Sequence, residues 1–145
     1  MAHFSVTGLD ELYEDISRAA KVPDRVKAGV VTAMGQIIRN AQAKLASQIL
    51  RGPFRTGATA KSVSLNKPRL DGSRTSVSVT FKGIRKRGKE KISVTRNAAI
   101  AFINEFGKNG QPARPFIRRA NEENAEKAVE AGKTVFDRWL QENNL

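Results

Sequence analysis

Residues 24–50 read DRVKAGVVTAMGQIIRNAQAKLASQIL, and this stretch decides the fold. Val26, Val30, Met34, Ile37, Ile38, Ala41, Leu45 and Ile49 recur at steps of three and four, the spacing of one helical face. Arg25, Lys27, Arg39, Gln42 and Lys44 fall on the opposite face. At ~1.5 Å per residue such a helix is roughly 40 Å long. Val22-Pro23-Asp24 marks its start, because proline is tolerated in a first helical turn, and Gly52-Pro53 stops it. Gly29 and Gly35 cost helicity and point to a neighbour that approaches closely. The heptad pattern is not sustained, so the stripe predicts a core face rather than a coiled-coil seam.

Outward from this helix the pattern changes. Upstream, Leu9, Leu12, Tyr13 and Ile16 fall on one face of a short amphipathic helix over 8–20, with acidic residues early in it. Downstream, from residue 62, the period becomes two. Ser62-Val63-Ser64-Leu65-Asn66 and Ser76-Val77-Ser78-Val79-Thr80-Phe81 alternate as half-buried antiparallel strands, with the turn signal Asp71-Gly72 between them. A third strand is expected over Ile92-Ser93-Val94-Thr95. Residues 98–103, apolar throughout, fit a buried strand or a short helix. A last helix begins near Pro115 or Phe116 and carries Phe116, Ala120, Ala128, Val129, Val135, Phe136, Trp139 and Leu140 as its apolar stripe.

The fold class expected is α+β, a mainly antiparallel β-sheet packed against a long N-terminal helix and a C-terminal helix. With 145 residues the expectation is one domain over 1–145. It divides into an arm and short helix (1–21), the long helix (22–51), the sheet (62–104) with a basic hairpin arm (82–91), and the last helix (115–142).

The net charge of +12 is unevenly spread. Residues 25–114 hold 19 of the 26 basic side chains and 3 of the 14 acidic ones. Such a field attracts a polyanion or an acidic protein surface, and it also suits a solvated, soluble surface. The run 82–91 concentrates it in Lys82, Arg85, Lys86, Arg87, Lys89 and Lys91, against the single acid Glu90. An arm of this kind can lie along phosphates without reading bases, or dock on an acidic neighbour. It has no aromatic residue on which a base could stack.

The residues of catalysis are scarce. The one histidine is His3, and there is no cysteine. No His, Asp or Glu cluster has metal-ligand spacing, and no glycine-rich phosphate loop precedes a helix. Glu105 lies among apolar residues, where a structural carboxylate paired with Arg55 or Arg114 is expected. The reading is of a protein with no enzymatic activity and no cofactor. The N-terminus lacks a signal-peptide pattern, and no stretch reaches the ~20 apolar residues of a membrane span.

Three short segments carry a resemblance. The first is Pro53-Phe54-Arg55-Thr56-Gly57 followed by Ser62. The second is Ala101-Phe102-Ile103-Asn104-Glu105-Phe106-Gly107. The third is Arg114-Pro115-Phe116 with Ala120 four residues later. In this order and spacing, over about residues 22–142, the chain resembles the tail-component or tail-completion proteins of long-tailed bacteriophages. This is the lambdoid gene-product-ten-like family, related to the lambda minor tail protein Z type. The resemblance implies a structural virion protein at the neck, joining the head-proximal end of the tail to the head connector. It implies a homo-oligomeric ring, a hexamer, through which double-stranded DNA passes. The implied partners are tail terminator, tail tube and head-connector proteins, with no membrane. The implied locations are the virion and, during assembly, the bacterial cytoplasm. It assigns Pro53, Arg55, Thr56, Gly57, Ser62, Glu105, Phe106, Gly107, Arg114, Pro115 and Phe116 to structural joints. A tail terminator or head–tail adaptor is the nearest alternative reading. A nucleic-acid-binding protein without sequence preference is the alternative from another class.

Overall fold

The computed structural model describes residues 17, 20–50, 57–72, 74–87 and 93–145, with 85–87 and 93–95 described in their backbone only. Of the expected short helix over 8–20 only Ser17 and Ala20 are described, both helical, and the Gly52-Pro53 stop and the Pro53–Thr56 part of the first motif lie outside these residues. The fold is α+β: the described residues form two long helices, two shorter ones and small antiparallel ribbons.

Helix α1 spans Asp24–Ile49. Pro23 stands at its N-cap in an extended conformation, and Asp24 puts negative charge in the first turn, where the helix dipole favours it. A one-turn helix α2 (Ala58–Lys61) follows Gly57, whose φ of 69° is a left-handed conformation that glycine adopts without steric cost. Helix α3 covers Asn97–Phe106 and helix α4 Ile117–Glu142. The ambiguous apolar run 98–103 is therefore helical.

Helices α1 and α4 run antiparallel. Met34 and Val30 pack onto Gly132, Val135 lies 3.5 Å from the position of a Cβ on Gly29, and Gln42 Nε2 donates to Asn121 Oδ1 at 2.9 Å. Gln42, expected on the outer face of α1, is thus buried between the helices. Val129, expected within the stripe of α4, is instead 57% exposed. The other side of α1 meets the strands, where Leu65 and Val77 close over Gly35. The core is centred on Phe116, Leu45, Ala46, Ala101 and Ala120, and Phe81 meets the Phe116 ring edge-on at 5.7 Å.

Among the described residues the strands form three two-stranded ribbons rather than one sheet. β1 (Val63–Leu65) pairs with β4 (Val79–Phe81), β2 (Arg69–Asp71) with β3 (Arg74–Ser76), and β5 (Ile84–Arg87) with β6 (Ser93–Arg96). The expected strand 76–81 is broken at Val77-Ser78. The cause lies on the facing chain. Asn66 N–H reaches Ser78 O, and Arg69 registers with Ser76, so Lys67 and Pro68 together oppose Val77. Two residues against one make a bulge, and Pro68 has no N–H to carry the ladder through it. The bend turns Val77 onto Gly35.

Two glycine substitutions on α1 separate packing from propensity. Gly29→Ala places its Cβ at an ordinary 3.5 Å contact, so the gain in propensity should leave stability unchanged or raised by up to ~1 kcal/mol. Gly35→Ala places its Cβ 2.6 Å from Leu65 Cδ1 and 2.7 Å from Val77 Cγ1. It should destabilise by about 1–3 kcal/mol despite the same propensity gain. Urea unfolding midpoints of the two variants check the opposite signs.

Candidate assembly surface

Helix α4 begins without a cap of its own. Its N-cap residue is Phe116, which makes no side-chain cap hydrogen bond, and its first turn holds no acidic residue. Phe116 is fully buried, so the position that usually carries a short polar side chain is given to the core. The unsatisfied N–H groups of the first turn find their acceptor elsewhere. Glu105, one residue from the end of α3 and 7% exposed, accepts from Ile117 N–H at 2.8 Å and Arg118 N–H at 2.9 Å. A carboxylate at a helix N-terminus is favoured by the dipole and by two charge-assisted hydrogen bonds.

The connection between the helices is built to allow this. Gly107 N–H closes α3 on Ile103 O at 2.8 Å. The residue then takes φ 78°, and a Cβ there would stand 2.9 Å from both Ala113 N and Gln111 O. Only glycine fits. Lys108 and Gln111 exchange backbone hydrogen bonds across a tight turn, and Arg114 N–H donates to Asn104 O at 2.6 Å. Arg114 itself is exposed, and no ion pair joins it to Glu105. The expected Glu105–Arg114 pair is therefore replaced by a helix cap. Arg55, the other expected partner, lies outside the described residues. Pro115, expected in the first turn, sits just before the N-cap and outside the helix. Ser62 closes α2, its Oγ donating to Thr59 O at 2.7 Å.

Burying Glu105 fixes which way α3 faces. Asn97, Ala101 and Glu105, at four-residue steps, point inward. Phe102 and Phe106, one residue further on, point outward and are 61% and 68% exposed. Their rings lie 4.8 Å apart and cover each other rather than the core. This helix buries small and polar residues and presents its largest apolar ones to solvent. The sequence run is apolar throughout, so its periodicity does not reveal that inversion. The buried Glu105 is the signal that could have.

The same helix holds the basic ribbon. Asn97, buried at the start of α3, donates its Nδ2–H to Lys82 O at 2.9 Å, and its backbone N–H reaches Gly83 O at 3.1 Å. Gly83 turns there with φ 86°. The arm expected over 82–91 is thus in part a β-ribbon, with Ile84–Arg87 paired to Ser93–Arg96. Arg85, Lys86 and Arg87 lie on its first strand, while Lys89 and Lys91 lie outside the described residues. Lys82 and Arg96 are exposed at its base, and Ile84 between them is 52% exposed.

Two shallow clefts of about 300 Å³ each flank the start of α1. Arg25, Arg138 and Glu142 are the charged groups of one, and Lys27 of the other. Neither gathers a nucleophile with a base. Among the described residues no group of three His, Asp or Glu side chains could hold a metal ion, and no helix is long and apolar enough to cross a membrane. Comparison of the chain with protein-family models, with curated proteins and with solved structures finds no match.

The capping geometry separates two variants. Glu105→Ala takes the acceptor from two part-buried N–H groups of the first turn and should cost about 0.5–2 kcal/mol, the usual loss for a helix cap. Arg114→Ala removes an exposed side chain that caps nothing and should stay within ~0.5 kcal/mol of the parent. Thermal or urea melts of both decide between a helix cap and a salt bridge.

Proposed function

We propose that this chain is a structural subunit of a phage tail, a tail-completion or neck protein that works by assembling. The observation that carries this reading is the outward pair Phe102 and Phe106 on a helix clamped in place from behind by Glu105. Exposed aromatic residues on a rigid element are the usual anchors of protein–protein contacts. The second and third motifs of the resemblance fall on this joint. Gly107 is sterically required there, Phe116 fills the core, and Glu105 caps α4.

In this reading the subunit joins the head-proximal end of the tail to the head connector as a ring, a hexamer in the family it resembles. Its neighbours are copies of itself and terminator, tube or connector proteins. Its positive charge suits a channel through which double-stranded DNA passes, since phosphate neutralisation needs no base contact. No chemical step is required of it. A terminator or head–tail adaptor role uses the same surfaces.

The concentration of positive charge in residues 25–114 favours one rival, a free nucleic-acid-binding protein without sequence preference. Light scattering at low and moderate salt, with DNA titrations alongside, tests the two. The tail reading predicts a discrete ring-sized mass. A monomer at every concentration whose DNA affinity falls steeply with salt would transfer the function to the rival.

A further inference from the structure

We infer that copies of this chain contact one another head to tail, the basic ribbon of one against the acidic outer face of α4 on the next. The inference rests on the assembly reading above and names the surfaces it uses. Two complementary patches support it. On α4, Glu122, Glu126 and Glu130 follow one another at four-residue steps and are all exposed. Like charges at this spacing destabilise a helix, and only Glu122 has an ion-pair partner among the described residues, Arg118 at 3.9 Å. Val129 stands exposed within this ladder. On the ribbon, Ile84 is exposed between Lys82 and the facing Arg96, which shares its register position. The ribbon strand continues with Arg85, Lys86 and Arg87.

Val129 thus stands exposed beside Glu126 and Glu130, with Lys133 the one base next to it, and Ile84 stands exposed beside Lys82 and Arg96, so the prevailing signs of the two patches are opposite. An apolar centre with a charged rim is the usual anatomy of a contact surface. The patches differ, so the contact is heterologous. Such a contact propagates from copy to copy and closes into a ring when the rotation permits. A second copy is the occupant that satisfies both patches at once, since each chain carries both. The like-charge repulsion along α4 is relieved when lysine and arginine dock across it.

A charge swap tests this. One variant carries Glu126→Lys and Glu130→Lys, the other Lys82→Glu and Arg96→Glu. All four positions are exposed, and circular dichroism checks that each variant folds. At a concentration and low salt where the parent is assembled, each variant alone should run as a monomer. An equimolar mixture should recover the assembled mass, because every contact then joins opposite charges in alternating copies. Either variant keeping the parental mass overturns the inference while leaving the tail reading intact, as does a mixture that fails to reassemble. A ribbon variant that keeps its mass but loses duplex DNA binding also overturns it, and gives the ribbon to nucleic acid. A parent chain that stays monomeric at low salt overturns it too, since a contact between opposite charges strengthens as screening falls. That outcome would also remove the ring-sized mass that the tail reading predicts, whereas the variant outcomes bear on the contact alone.

Discussion

The carboxylate of Glu105 at the start of α4 is the constraint on which the rest of the structure depends. It joins a short helix to a long one at a point where the start of the long helix cannot satisfy itself. The long helix needs an acceptor because Phe116 occupies its cap position. Phe116 cannot give way, because its ring is the centre of the core and meets Phe81 edge-on. A polar residue at position 116 would restore a local cap and empty the core. A capping carboxylate delivered from α3 satisfies both demands, and Gly107 supplies the sharp reversal that brings it there.

This solution has a consequence for the surface. With Glu105 and Ala101 turned inward, Phe102 and Phe106 must face solvent. With Asn97 turned inward on the same face, the basic ribbon is anchored by its side chain and backbone to the start of the same helix. One ten-residue helix therefore holds the helix cap, the apolar patch and the root of the charged ribbon. A force on any of these is transmitted through a packed element rather than through a loose loop. That arrangement suits a subunit whose work is to hold position between neighbours.

Much of the architecture was legible in the residues. The three- and four-residue steps from Val26 to Ile49 place α1 within a residue of where it lies, and the last helix, expected over 115–142, spans Ile117–Glu142. Long periodic segments average out local noise. Strands β1, β4 and β6 were legible in kind but not in extent, because the bulge at Lys67-Pro68 is set by the facing strand and not by the alternation of 76–81, while β2 and β5 have no apolar alternation to announce them. The burial of Gln42 is not legible, because an amide that pairs with Asn121 looks like any outer polar residue until the second helix is in place. Glu105 reads from its apolar neighbours as a structural carboxylate, but its partners are backbone N–H groups. No pattern of side chains announces an acceptor for a backbone donor. The candidate surface was legible as charge and invisible as shape, since an all-apolar run hides which residues face out.

Amide hydrogen exchange at Ile117 and Arg118 is the measurement that bears most directly on the Glu105 joint. Both are first-turn N–H groups, which ordinarily exchange fast because they lack an intrahelical acceptor. If Glu105 closes the joint, both amides should be protected to nearly the level of the α4 interior, and both should lose that protection in Glu105→Ala. Fast exchange at both positions in the parent protein, matching that of exposed turns, would contradict the account. The outward set of Phe102 and Phe106 would then need another cause.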